Sequence, residues 1–292
     1  MKLDGGVFLL QWATGGLFFT WVTTRRREVG LGYGWLLRIV FGAFALGGAV
    51  LLAAEGLDRP AQVITFVAGA GSAAAAGFVL SVAIGRRRAG VSGATARREQ
   101  RRARVSAMVD RGDGDAAGEA AGDPAALKEF DPRFDLVAPI VGAVGLAAAA
   151  QFSGGPVLLA AARLLVGAAF LGCVSDAMLL GHWYLVQPGL PRDAVKQLVA
   201  LTAIIWPLEV AVMLWPTGMV QVLNGTVDDG WKGLLGWTWL VCAITTIGLV
   251  GLTWAALRER AYSAVMAATG LLYLAILTGF GTDLLARAVL RP

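Results

Sequence analysis

One histidine, two cysteines and a few acids and arginines set inside apolar runs are the residues of this 292-residue chain with chemistry to offer. A lone histidine cannot supply the paired ligands of a bis-histidine haem, and it leaves zinc and di-iron sites short of donors. Cys173 and Cys242 each fall inside an apolar run, where cysteine behaves as a small packing residue. Two cysteines make no disulfide framework. The sequence contains no Gly-x-x-x-x-Gly-Lys-Ser/Thr, which excludes a P-loop ATPase. The last apolar run has no lysine for a retinal Schiff base. No cofactor is expected to be bound by this chain alone.

The remaining candidates are ionisable side chains within apolar stretches, each costing several kcal/mol in lipid unless paired. Arg38, Asp176, His182 and Tyr184 form one group, with His182 and Tyr184 in Gly181-His182-Trp183-Tyr184. Together they have the donors and acceptors to hold the headgroup of a quinone, or to pass a proton. A second group holds Arg163, Glu209 and Asp283, with Arg287 four residues after Asp283. Pro207 stands two residues before Glu209 and interrupts its helix, as in the broken helices that line transporter sites. Either group also reads as an ion pair that fixes helix packing. His182 alone reads more readily as a headgroup-level or packing residue than as a ligand.

The elements that must position these residues follow from composition. The chain is 57% hydrophobic and only 15% charged, with a mean hydropathy of +0.66. Soluble domains carry about 25% charged residues, so a soluble globular enzyme is excluded. A hydrocarbon core of about 30 Å needs about 20 apolar residues in a helix. Eight segments qualify: 5–24, 33–54, 62–85, 136–153, 156–186, 197–215, 233–256 and 263–288. The expected fold is an all-α, polytopic integral membrane protein of about eight transmembrane helices. Residues 1–85 form a three-helix membrane segment, 86–135 a charged cytoplasmic loop, and 136–292 a five-helix membrane segment.

Alternate loops carry eighteen Lys/Arg on one side against five on the other, and Arg25-Arg26-Arg27 is the strongest short-loop signal. The positive-inside rule then places both termini outside and the long loop in the cytoplasm. At 1.5 Å per residue, Arg38 lies about 9 Å and Asp176 about 7 Å on the cytoplasmic side of the midplane, with His182 deeper still. That places Arg38, Asp176, His182 and Tyr184 in the inner leaflet. Arg38 is the cation expected opposite Asp176. Arg163, Glu209 and Asp283 fall in the outer leaflet, within about 8 Å of one another in depth.

The net charge of +5 does not point to nucleic acid, because the arginines cluster at span ends. In the loop, Arg97, Arg98, Arg101 and Arg102 sit in a stretch able to form a basic helix. Beside a membrane they would contact anionic lipid headgroups, worth about 1 kcal/mol per basic residue. The same loop reads alternatively as a solvated linker with a basic half and an acidic half. Arginine exceeds lysine, and alanine and glycine are abundant, which points to a GC-rich bacterial genome and to the bacterial cytoplasmic membrane.

The leading functional reading is a non-catalytic membrane subunit of a larger respiratory or redox complex, with a quinone or proton site in the inner leaflet. Its partners would be the lipid bilayer and other membrane subunits. Eight helices with both termini outside is similar in layout to the quinol-binding anchor subunits of polysulfide and dimethyl-sulfoxide reductases. The local likeness is Glu55-Gly56-Leu57-Asp58-Arg59-Pro60 after the second helix, and the long loop after the third helix departs from them. The alternatives are a secondary transporter or channel using Glu209 and Asp176 beside the Pro207 break, and a membrane scaffold. A cysteine placed at Ala116 is expected to react with impermeant thiol reagents only once they reach the cytoplasmic face, and one at Thr226 from outside. Labelling of both from one face would contradict the eight-span topology.

Overall fold

The computed structural model describes residues 4–26, 29–88, 105, 131–187, 190–216, 218–259 and 261–290. Among these there are helices and no strands. The helices are α1 (Gly5–Thr24), α2 (Leu31–Glu55), α3 (Pro60–Arg88), a 3-10 turn (Pro132–Leu136) leading into α4 (Val137–Ala149), α5 (Val157–Val186), α6 (Asp193–Leu214), a short α7 (Gly218–Leu223), α8 (Leu234–Ala256) and α9 (Tyr262–Val289). All but α7 are long and apolar enough to cross a membrane once the 3-10 turn is counted with α4, which makes eight spans. That is the architecture of a multi-pass membrane protein. Side chains such as Leu158, at 84% exposure, and Leu277, at 69%, point outward from the bundle. In water such a surface would drive aggregation, whereas in lipid it is the favourable one.

Local signals set several helix ends. The Asp4 carboxylate caps α1 by accepting from the Val7 amide at 3.0 Å. Asp131 starts the 3-10 turn by accepting from the Arg133 amide. Asp229 gathers the start of α8 by accepting from the amides of Trp231, Gly233, Leu235 and Gly236. Desolvation would raise the proton affinity of Asp229, but these four N–H bonds outweigh it and hold the carboxyl below its ordinary range. Threonines inside the spans return their hydroxyls to the preceding turn, as Thr14 does to Leu10 O and Thr253 to Leu249 O. These hydroxyls thereby sit in the spans with their donors satisfied.

The spans pack four and four. In the first ring α1 packs on α2, α2 on α3, α3 on α4, and α4 back on α1. In the second, α5 packs on α6, α6 on α8, α8 on α9, and α9 back on α5. Each ring begins with a helix running in the same direction, and the two rings meet along α1 and α5. These are also the most enclosed spans, with 67% and 56% of their apolar stretches buried against 28% to 44% for the others. In chain order the long segment after α3 therefore joins the third and fourth helices of one ring rather than the two rings. One end of the bundle, hereafter the basic end, carries Arg25, Arg26, Arg86, Arg87, Arg88, Arg192 and Arg258. There Arg25 and Arg87 lie over the rings of Trp21 and Trp35.

Glycine makes the seam possible. A Cβ on Gly15 would lie 1.7 Å from the carbonyl oxygen of Ala168, and one on Gly172 would lie 2.1 Å from the carbonyl carbon of Gly15. Backbone meets backbone there, as small residues permit in membranes. Trp12 of α1 closes the same region between Phe44 of α2 and Phe280 of α9, with ring centroids 4.5 and 4.4 Å away. Gly77, by contrast, has nothing within 4 Å of a built Cβ. Gly15→Ala and Gly172→Ala should each cost about 1–3 kcal/mol or more through overpacking, read as a lower melting temperature in detergent. Gly77→Ala should leave it unchanged or slightly raised. Equal behaviour of all three would remove the seam from the account.

Candidate functional site

Among the described residues, the basic-end half of the bundle holds two buried acids in contrasting situations. Asp135 closes the 3-10 turn before α4 and meets Arg38 of α2 in a two-pronged ion pair. Arg38 Nε donates to Asp135 Oδ1 at 2.8 Å and Nη2 to Oδ2 at 2.6 Å. Both side chains are buried, so a fully bonded pair is what the site demands. This corrects the sequence expectation that Arg38 faces Asp176. Asp135 sits at the tail of the charged segment, and depth along helices does not reveal an acid held by a turn at the helix mouth.

Asp176 has no such partner. It lies on α5 at the seam, is completely buried, and neither carboxyl oxygen has a hydrogen-bond partner among the described residues. From α2 the hydroxyl of Tyr33 donates to the main-chain carbonyl of Asp176 at 3.3 Å. From α1 the hydroxyl of Thr20 faces the carboxyl but donates to Gly16 O at 2.8 Å. Ser175, its neighbour, accepts from Trp12 Nε1 at 2.9 Å and donates to Leu171 O. The Cys173 thiol, a turn earlier, accepts from Thr202 and donates to Leu198 O, so it packs α5 on α6 as a small side chain does.

The other two members of the expected inner group separate. His182 is exposed on the outer surface of α5, and its Nδ1 pairs with the Tyr273 hydroxyl of α9 at 3.0 Å. The helical step from Asp176 to His182 turns the imidazole about 120° away, off the seam. The expectation that Arg38, Asp176 and His182 meet is therefore corrected. Tyr184 stays inside: its hydroxyl donates to the carbonyl of Pro191, and it lies near Tyr33. Tyr33 thus bonds the main chain at Asp176, and Tyr184 bonds the loop at the basic end.

At the opposite end, Arg163, Glu209 and Asp283 do come together. Arg163 of α5 reaches the end of α6, where Nε donates to Val212 O at 2.8 Å and Nη2 to Trp215 O at 2.6 Å. Asp283 of α9 accepts from Arg287 Nε at 2.6 Å and Nη2 at 3.1 Å, and from Gln11 Nε2 at 3.3 Å. Gln11 Oε1 in turn accepts from Arg287. Glu209 of α6 faces Asp283, with Arg287 and Arg163 nearby. It is wholly buried, and neither carboxyl oxygen is hydrogen-bonded among the described residues. Gly167 leaves the room: a Cβ there would lie 2.3 Å from Gln11 Nε2 and 2.9 Å from Asp283 Oδ1.

Gln11 belongs to this cluster but was not expected in it, and Arg287, expected only as a local partner of Asp283, bonds Gln11 as well. A neutral amide gives no charge signal in a sequence, and Arg287 reads as a loop charge when it is the last-turn residue of a long helix. Arg97, Arg98, Arg101 and Arg102 lie outside the described residues. Among the described residues no group of three His, Cys, Asp or Glu side chains is arranged to hold a metal ion. No family model matches this chain, and no curated protein or solved structure matches it either.

Arg38→Gln and Asp135→Asn should each destabilise by about 3–5 kcal/mol by analogy with buried pairs in soluble proteins, and combining them should recover much of the loss. Arg38→Gln with Asp176→Asn should show no such recovery, because the two share no bond. Thermal unfolding of the singles and both doubles in one detergent decides it. Rescue by Asp176→Asn would restore the original pairing.

Proposed function

We propose that this chain is a non-catalytic integral membrane subunit of a larger bacterial membrane complex of respiratory type, in which Asp176 binds and passes a proton. The observation that carries this reading is the Asp176 carboxyl itself: wholly buried at the seam between two helix rings and without a hydrogen-bond partner among the described residues. An unpaired carboxylate in such a place is so costly that the group takes up a proton instead. Arginine placement supports a cytoplasmic basic end. On that orientation the hydroxyls of Tyr33 and Tyr184 lead the proton to the cytoplasmic loop at Pro191. A proton fits this site better than a quinone headgroup, because the imidazole that would complete a quinone site is turned away to Tyr273.

The native protein, purified from its own membrane, is expected to bring redox subunits with it. Asp176→Asn should assemble with the same partners and lose proton movement in energised membrane vesicles at least about tenfold, which is about 1.4 kcal/mol of barrier. Asp176→Glu should restore part of it. A lone oligomer would favour transport over a respiratory role. Undiminished proton movement in Asp176→Asn would end the reading.

A further inference from the structure

Glu209 is the other buried carboxyl without a donor among the described residues, and its surroundings differ from those of Asp176. It belongs to a cluster of five side chains from four helices: Gln11 of α1, Arg163 of α5, Glu209 of α6, and Asp283 with Arg287 of α9. The neighbouring helices α7 and α8 contribute no charged side chain. Counted with every group ionised, two acids and two arginines make the cluster neutral. The bonding does not follow that count. Arg287 is committed to Asp283 and Gln11, and Arg163 has turned Nε and Nη2 to the last carbonyls of α6. Glu209 is left facing a carboxylate.

Two carboxyls that meet away from water hold one proton between them. We infer that Glu209 and Asp283 form a proton-binding pair in the half of the bundle opposite the basic end, with the proton carried on Glu209 and donated in a hydrogen bond to Asp283. This pair is separate from Asp176 and stands whether or not the reading of Asp176 holds. Arg287 and Gln11 position Asp283 as the acceptor. Arg163 is the cation available when the proton leaves. In that step the Glu209 O–H bond breaks, the proton passes to water, and the electron pair stays on the carboxylate, leaving the four charges balanced.

The path to water is short. Glu209 lies five residues before the end of α6, about 8 Å along the helix axis, and Asp283 lies at a matching depth six residues before the end of α9. Pro207 stands one half-turn before Glu209 inside α6, where a missing N–H loosens the ladder that holds it.

The test is infrared spectroscopy of the full chain in phosphatidylcholine vesicles as pH is raised, for wild type, Glu209→Gln, Asp283→Asn and Asp176→Asn. The expected wild-type spectrum contains the carbonyl stretch of a protonated carboxyl that shifts in deuterium oxide and fades as pH rises. Glu209→Gln should abolish that component while melting as wild type does, because the amide copies the neutral acid in size and can donate to Asp283. Asp283→Asn should shift the component without abolishing it. Asp176→Asn should leave it untouched, and any component lost only there belongs to Asp176. A spectrum in which Glu209→Gln changes nothing overturns the inference. So does a large fall in melting temperature for Glu209→Gln that is rescued by Arg163→Gln, since that is the behaviour of an ionised Glu209 paired with Arg163.

Discussion

The approach of α1 to α5 at Gly15 and Gly172 is the contact on which the remaining geometry depends. Lipid offers helices little hydrophobic reason to associate, so close backbone packing must supply it. With no Cβ on either glycine, the two helices touch main chain to main chain. That contact joins the two four-helix rings and lets side chains of α1 serve the second ring. Gln11, one turn before Gly15, reaches Asp283 of α9, and Trp12 reaches Ser175 of α5. Asp176, one turn after Gly172, is enclosed against α1 and α2 by the same approach. A wider seam would open all three positions at once.

Within that frame the bundle treats its buried acids in two ways. Asp135 and Asp283 are each gripped by an arginine through two donors, Asp135 by Arg38 and Asp283 by Arg287. Breaking such a pair is costly, because it leaves a buried charge uncompensated. Asp176 and Glu209 are buried as deeply and have no donor among the described residues. The contrast matters more than either acid alone. A fold able to place Arg38 and Arg287 with full bonding has not placed a cation on the other two. The ungripped carboxyls lie in opposite halves of the bundle, Asp176 toward the basic end and Glu209 away from it.

The eight spans were legible from hydropathy alone, since runs such as 156–186 and 263–288 have little else they can be, and the observed helices differ from them by a few residues. Lateral partners were legible only where depth left few candidates. Arg163, Glu209 and Asp283 could be grouped because few charged side chains share their depth. The same reasoning failed for Arg38, because depth cannot say which helix faces which, and the true partner sat in the 3-10 turn before α4. His182 was misassigned for a related reason: its depth suited the group, while its angle around α5 did not. The four-and-four packing was hidden too. The long charged segment divides the sequence after the third span, whereas helix contacts divide it after the fourth.

The central claim is that Asp176 is a neutral, proton-bearing acid at the seam. Solid-state NMR of the protein in lipid, with aspartate carboxyl carbons isotopically labelled and the Asp176 signal assigned through Asp176→Asn, tests it most directly. At neutral pH the Asp176 carboxyl carbon should resonate as a protonated acid. An Asp176 signal at the carboxylate position under the same conditions would contradict it.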